Sequence, residues 1–144
     1  MRVGPQPIIA RPAWYDRNPS TIIYTFCDTL SPHAPTPRFN YVVPSGKKAM
    51  VEVMLAKVVR VSSATTPGWA TAQIAITPYG GSMAWVCIAR LTDAHNAAKD
   101  MDSMSIGGSI MLFPGDAVTG LTADLSTGGT CHYILAVKLT LFDA

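Results

Sequence analysis

The chain has 144 residues, of which 49% are hydrophobic and only 14% charged, with a net charge of +2. That length suits one domain whose core needs no disulfide staples, and the charge content falls well below the roughly 25% of an ordinary soluble domain. A spanning segment of about 20 unbroken apolar residues is missing, because Glu52, Lys57 and Arg60, or His132 and Lys138, interrupt the longest candidates; this excludes a membrane helix and leaves protein–protein burial to cover the low-charge surface.

Residues 1–20 come first and read as an extended arm. Pro5, Pro7, Pro12 and Pro19 rule out a helix or a central strand there, and the stretch lacks the continuous apolar core of a secretion signal. Its apolar side chains, Ile8, Ile9, Trp14 and Tyr15, call for a surface to dock on, either its own domain or a partner. Together with Arg2, Arg11 and Arg17 they are the expected protein contacts of the arm. Residues 1–48 hold six basic and two acidic side chains, a mildly basic front end too dispersed to signal nucleic acid.

From residue 21 to 144 the sequence is a series of short alternating runs separated by turn chemistry. Strands are expected over 21–28, 39–43, 49–62, 69–77, 83–92, 104–112, 117–125 and 130–142. The connectors "VPSGKK", "TTPGW", "TPYGGS", "FPGD" and "STGGT" place Pro or Gly where tight turns need a fixed or positive φ. The stretch "TDAHNAAKDMDS" (92–103) has a helix-start residue but no apolar stripe, and reads as a loop or a single turn. Eight antiparallel strands in one domain imply an all-β sandwich of two packed sheets.

The alternation assigns faces. In 131–141 every odd position is apolar, so that face belongs to a core, while the even face carries Ile134, Ala136 and, beyond it, Phe142 beside His132 and Lys138. Strict alternation in 49–62 groups Ala49, Val51, Val53, Leu55, Val59 and Val61 on one side and Met50, Glu52, Met54, Ala56, Val58 and Arg60 on the other. In 83–91 it groups Met83, Trp85, Cys87, Ala89 and Leu91. Strands apolar on both faces point to a second subunit, and Ile134, Ala136 and Phe142 are the expected subunit contacts.

No chemical constellation emerges. Glu52 is the single glutamate and sits between valines in a strand, where a solvated or ion-paired role is expected rather than acid–base work. Asp93 and His95 form a lone DxH in a loop. His33, His95 and His132 are far apart, Cys131 and His132 point to opposite faces of one strand, and no metal-ligand spacing occurs. Cys27, Cys87 and Cys131 lie in apolar runs and are expected as buried, reduced thiols. "SIGGS" and "STGGT" are not placed between a strand and a helix as phosphate cradles require. Neither catalytic residues nor cofactors nor metals are expected, and the protein is read as not an enzyme; a cupin-like metal enzyme would need histidines to converge.

The "VPxGK" turn at Val43–Lys47, the "PGDxV" corner at Pro114–Val118, the "TGG" hairpin at Thr127–Gly129 and the terminal apolar strand ending in "FDA" resemble the jelly-roll decoration, cement and fibre-head proteins of tailed bacteriophages. The layout over residues 39–144 also resembles trimeric tumour-necrosis-factor and C1q-like jelly rolls. The resemblance implies a jelly-roll virion protein on the capsid exterior, made in the host cytoplasm, that binds the major capsid protein or another virion protein as a homo-oligomer, with a trimer favoured over a dimer, and that engages neither nucleic acid nor membrane. The alternative it carries is a receptor- or carbohydrate-binding fibre head, for which Trp69 and Tyr79 beside turns are the candidate contacts.

Overall fold

The computed structural model describes residues 20–143. Eight strands follow in chain order: β1 (Ser20–Leu30), β2 (His33–Val42), β3 (Lys47–Ser62), β4 (Ala70–Thr77), β5 (Ala84–Leu91), β6 (Met101–Leu112), β7 (Ala117–Asp124) and β8 (Thr130–Asp143). One sheet has the order β1-β8-β3-β6, the other β2-β7-β4-β5, and every pairing is antiparallel. Successive strands therefore cross between sheets except at β4–β5, and that strand order makes the sandwich a jelly roll. All eight expected strands are present, and 92–103 forms turns rather than a helix, with its last residues joining β6.

β8 occupies the centre of its sheet, bonded to β1 on one side and β3 on the other. Its odd residues Cys131, Tyr133, Leu135, Val137 and Leu139 are all buried in the core, as the alternation predicts. They meet Ala70, Ala72 and Ile74 of β4, Cys87, Ala89 and Leu91 of β5 and Val118 of β7 in one cluster. Tyr24 stacks on Phe39 at 5.6 Å and meets Tyr41 in a tilted contact at 5.7 Å, closing the open side between β1 and β2. The turn before β7 relies on Gly115, whose φ of +89° a side chain rarely adopts. There the Asp116 carboxylate accepts the Phe113 N–H at 2.8 Å and the Tyr79 N–H at 2.9 Å.

Two strands break strict alternation. In β3 the pairing shifts between Val51 and Val53, leaving Glu52 as the extra residue opposite β8. Side-chain parity inverts there, so Ala49 and Val51 face the core but so do Met54, Ala56, Val58 and Arg60, while Val53, Leu55, Val59 and Val61 turn outward. In β5 a shift between Ile74 and Ala75 leaves Val86 over; Val86 packs on the core and Trp85 moves to the outer face. The face grouping expected for both strands is thus corrected by one bulge each. β2 is also longer than the expected 39–43, running through Pro35 and Pro37. Proline is tolerated because β2 is an edge strand, with no partner on one side to require its N–H.

Candidate functional site

Three features carry chemistry or recognition: a buried ion pair, the outer face of the β1-β8-β3-β6 sheet, and a groove on the outer face of the other sheet. The ion pair is the least expected from the sequence. Arg60 and Asp124 have side chains with no exposed surface and approach to 3.5 Å. Arg60 Nη1 donates to Ser126 Oγ at 3.0 Å, and Asp124 Oδ1 accepts the Ser126 N–H at 2.9 Å and the Ser126 hydroxyl. Cys131 and Tyr133 adjoin the pair: burial pushes the Cys131 thiol from its usual value of 9.0 up to about 11, and burial, then the Cys131 charge, raises Tyr133 further. The bulge at Glu52 is what brings Arg60 inward, and strict alternation conceals it.

This cluster shapes the surface beside it. Ser126 pins the turn after β7, where the Leu125 N–H donates to the Trp69 carbonyl at 2.7 Å. Gly68 lies against that turn so closely that a Cβ there would fall 2.4 Å from the Ser126 nitrogen. Leu125 and Trp69 are thereby held side by side on the outer face of β2-β7-β4-β5. They form one end of an apolar groove of about 210 Å³, with Trp85 and Leu121 among its walls and Thr71 and Gln73 in its lining. Arg90 lies over the Trp69 ring at 4.7 Å, fixing that indole as a wall. The indoles are 47% and 39% exposed for Trp69 and Trp85 respectively.

On the opposite side of the molecule, the outer face of β1-β8-β3-β6 runs in cross-strand rows. One is Thr25, Ala136, Leu55 and Ser105; the next is Cys27, Ile134, Lys57 and Ser103. Ile23 at 62% exposure, with Val53 and Met101 also exposed, extends the apolar surface. Its charges include a pair, Lys138 Nζ with Glu52 Oε2 at 3.2 Å, and Thr140 donates to Glu52 Oε1 at 2.7 Å. The Thr140 hydrogen bond, then that from Lys138, holds the Glu52 carboxyl below its ordinary value. Glu52 is ion-paired, as expected.

The expected residues fare differently. Ile134 and Ala136 lie half-buried on this outer face, whereas Phe142 is 2% exposed; its ring is already closed off within one chain, which corrects its place among the outward-facing contacts. Arg2, Ile8, Ile9, Arg11, Trp14, Tyr15 and Arg17 lie outside the described residues. Cys87 and Cys131 are buried and unbridged, but Cys27 is exposed, a second correction. The fold sets Cys27 Sγ 3.3 Å from His132 Nε2, with Thr29 Oγ1 2.8 Å from His132 Nδ1. Sequence separation of 105 residues hides that triplet. His95 engages the Thr92 hydroxyl rather than Asp93, and His33 bridges the Ser31 carbonyl and the Thr122 hydroxyl. Among the described residues, no three His, Cys, Asp or Glu side chains gather as a metal site. Trp69 and Tyr79 flank opposite ends of β4, about 30 Å apart at strand spacing, and so do not share one platform.

No protein-family profile and no curated protein matches the sequence. Among solved structures, the Eiger tumour necrosis factor of S. frugiperda is similar at 11% identity and a TM-score of 0.42, covering 86% of this chain and 92% of its own. A subviral particle of infectious bursal disease virus is similar at 12% identity and 0.39, over 96% of this chain and 42% of that one. A CocE/NonD-family hydrolase of Staphylococcus aureus follows at 9% and 0.35, over 87% and 33%. The jelly-roll assignment itself stands on the strand order of the two sheets.

Proposed function

We propose that the protein is a structural subunit of a virus particle, a decoration or cement protein that binds the capsid exterior as a homo-oligomer. The observation that carries the reading is the outer face of β1-β8-β3-β6, where Leu55, Val59, Ile134 and Ala136 on the two central strands adjoin exposed Ile23, Val53 and Met101. The apolar part of such a face loses little by leaving water, and a stable contact of this kind buries about 1,200–2,000 Å² in total. Repeated subunits on a shell then gain avidity from many weak contacts. The major capsid protein or another virion protein is the partner, and the basic residues Arg2, Arg11 and Arg17 supply the charged part of the particle contact.

Sedimentation equilibrium of the purified chain tests the association. A trimer is expected, with a dimer the next possibility, and Leu55→Glu together with Ala136→Glu is expected to give a monomer with an unchanged circular-dichroism spectrum. A wild-type chain that stays monomeric at 100 times its working concentration would defeat the reading. Co-sedimentation with purified particles then reports shell binding directly.

A further inference from the structure

We infer that the groove on the outer face of β2-β7-β4-β5 is a saccharide site that holds one sugar ring. Its floor is the middle of β4, where Thr71 and Gln73 face outward while Ala70, Ala72 and Ile74 fill the core. Thr71 is 6% exposed and Gln73 8%. Neither the hydroxyl of the one nor the carboxamide of the other has a hydrogen-bond partner among the described residues, and neither is fully enclosed. What remains open of each polar end opens into the groove. Two polar side chains, each more than nine-tenths buried and still unpaired, leave their hydrogen bonds to whatever fills that space.

The chemistry of the lining selects the occupant. The Thr71 hydroxyl and the Gln73 carboxamide each donate and accept. A wholly apolar ligand would strip water from both and replace none of their hydrogen bonds, which is costly. A nucleic-acid strand requires several cations along its phosphates, and Arg90 is the one charged side chain in the lining. A peptide that adds to a sheet requires free backbone groups, but β4 is hydrogen-bonded to β5 on one side and β7 on the other. A sugar ring meets every condition. Hydroxyls around its rim donate and accept side by side, and its C–H faces are apolar and weakly positive, suited to the negative face of an indole.

The dimensions agree. Thr71 and Gln73 stand two residues apart on one strand, about 7 Å, close to the width of a six-membered ring with its hydroxyls. Trp69 precedes β4, and Trp85 pairs with Ala75 beyond Gln73, so an indole stands toward either end of that floor. Arg90, opposite Thr71 in register, rests on the Trp69 ring and has no ion pair among the described residues. Its terminal nitrogens are left for a ring oxygen or a sugar carboxylate. At about 210 Å³ the groove falls below the roughly 300–1,000 Å³ that encloses a drug-sized ligand, so it takes one ring and leaves the rest of a glycan outside. The site is complete within one chain and lies on the sheet opposite the proposed association face, so it does not rest on that reading.

The test titrates the isotope-labelled full chain with the methyl glycosides of glucose, galactose, mannose, N-acetylglucosamine, glucuronic acid and N-acetylneuraminic acid, following the indole N–H signals. A ligand of this size binds with a Kd of about 1 mM, and at least one of the six is expected to shift the Trp69 and Trp85 signals saturably. Trp85→Ala and, separately, Gln73→Leu, with the fold checked by circular dichroism, are each expected to weaken binding at least tenfold, whereas Tyr79→Ala, outside the lining, is expected to leave it unchanged. Tighter binding of the two carboxylated glycosides that Arg90→Gln removes sets a carboxylate at Arg90, and equal binding sets a neutral ring there; either upholds the site. No saturable binding of any of the six at ten times that concentration would overturn the assignment. So would binding unmoved by both Trp85→Ala and Gln73→Leu, or tighter saturable binding of adenosine or a proline-rich peptide at the same indoles. Failure of the titration leaves the sedimentation result for the Leu55→Glu/Ala136→Glu variant standing.

Discussion

Asp124→Asn replaces one charge in the buried pair with an isosteric neutral amide and leaves Arg60 without its counter-charge. Both side chains are fully enclosed, and Arg60 Nε and Nη2 already lack hydrogen-bond partners among the described residues. Arg60 cannot shed its proton at any accessible pH, so the variant must hold an uncompensated cation or open the structure to water. Removing one partner of a buried pair costs about 3–5 kcal/mol, out of the roughly 5–15 kcal/mol that stabilise a typical domain. At about 4 °C per kcal/mol for a chain of this size, the midpoint of thermal unfolding is expected to fall by about 12–20 °C. Urea unfolding should show the loss as a lower midpoint at constant slope. Replacing both residues, Arg60→Met with Asp124→Leu, is expected to recover most of it, since an apolar pair of similar volume removes the desolvation penalty along with the attraction. A single variant within 1 kcal/mol of wild type would refute the enclosure of the pair and the role given to it in holding the turn at Ser126.

Gly68→Ala is expected to cost about 1–3 kcal/mol, because its Cβ would overlap the Leu125–Ser126 backbone, which must shift; quenching of tryptophan fluorescence by acrylamide should rise as Trp69 loses its place. Thiol labelling of the native chain is expected to modify Cys27 alone, with Cys87 and Cys131 reacting only in denaturant, and Cys27 should slow as the chain associates; prompt labelling of Cys131 would contradict its burial. Alkaline pH is expected to destabilise the fold. Unfolded thiols ionise from about pH 9, while burial holds Cys131 protonated to about 11 and also raises Cys87, so the stability is complete below about pH 9 and is lost as pH rises through 11. The urea midpoint should fall between pH 8.5 and 10.5, and less steeply in Cys131→Val; a flat profile would oppose this.

What the sequence disclosed and what it hid divide along a physical line. Local rules placed all eight strands and the core face of β8, because a two-residue period and turn residues act over a few positions. Parity failed where a single extra residue entered a strand. Glu52 and Val86 carry no local mark of a bulge, and each reverses the faces from one side of it to the other, which turned Arg60 inward and Trp85 outward. The Gly-Gly pair at 107 and 108, across from the β3 bulge, was a signal that could have been read. Pairings between distant segments, such as Cys27 with His132 or Arg60 with Asp124, depend on strand order, and no periodicity encodes that.

The central position of β8 also governs how the chain must fold. β1 and β3 have no contact with each other in the sheet except through residues 130–143, so their mutual arrangement waits until those residues have been synthesised. Until then both strands present unsatisfied edges and apolar faces. Pairings across such separations place this chain among slow folders, on the scale of milliseconds to seconds, and make the nascent chain the state most exposed to aggregation.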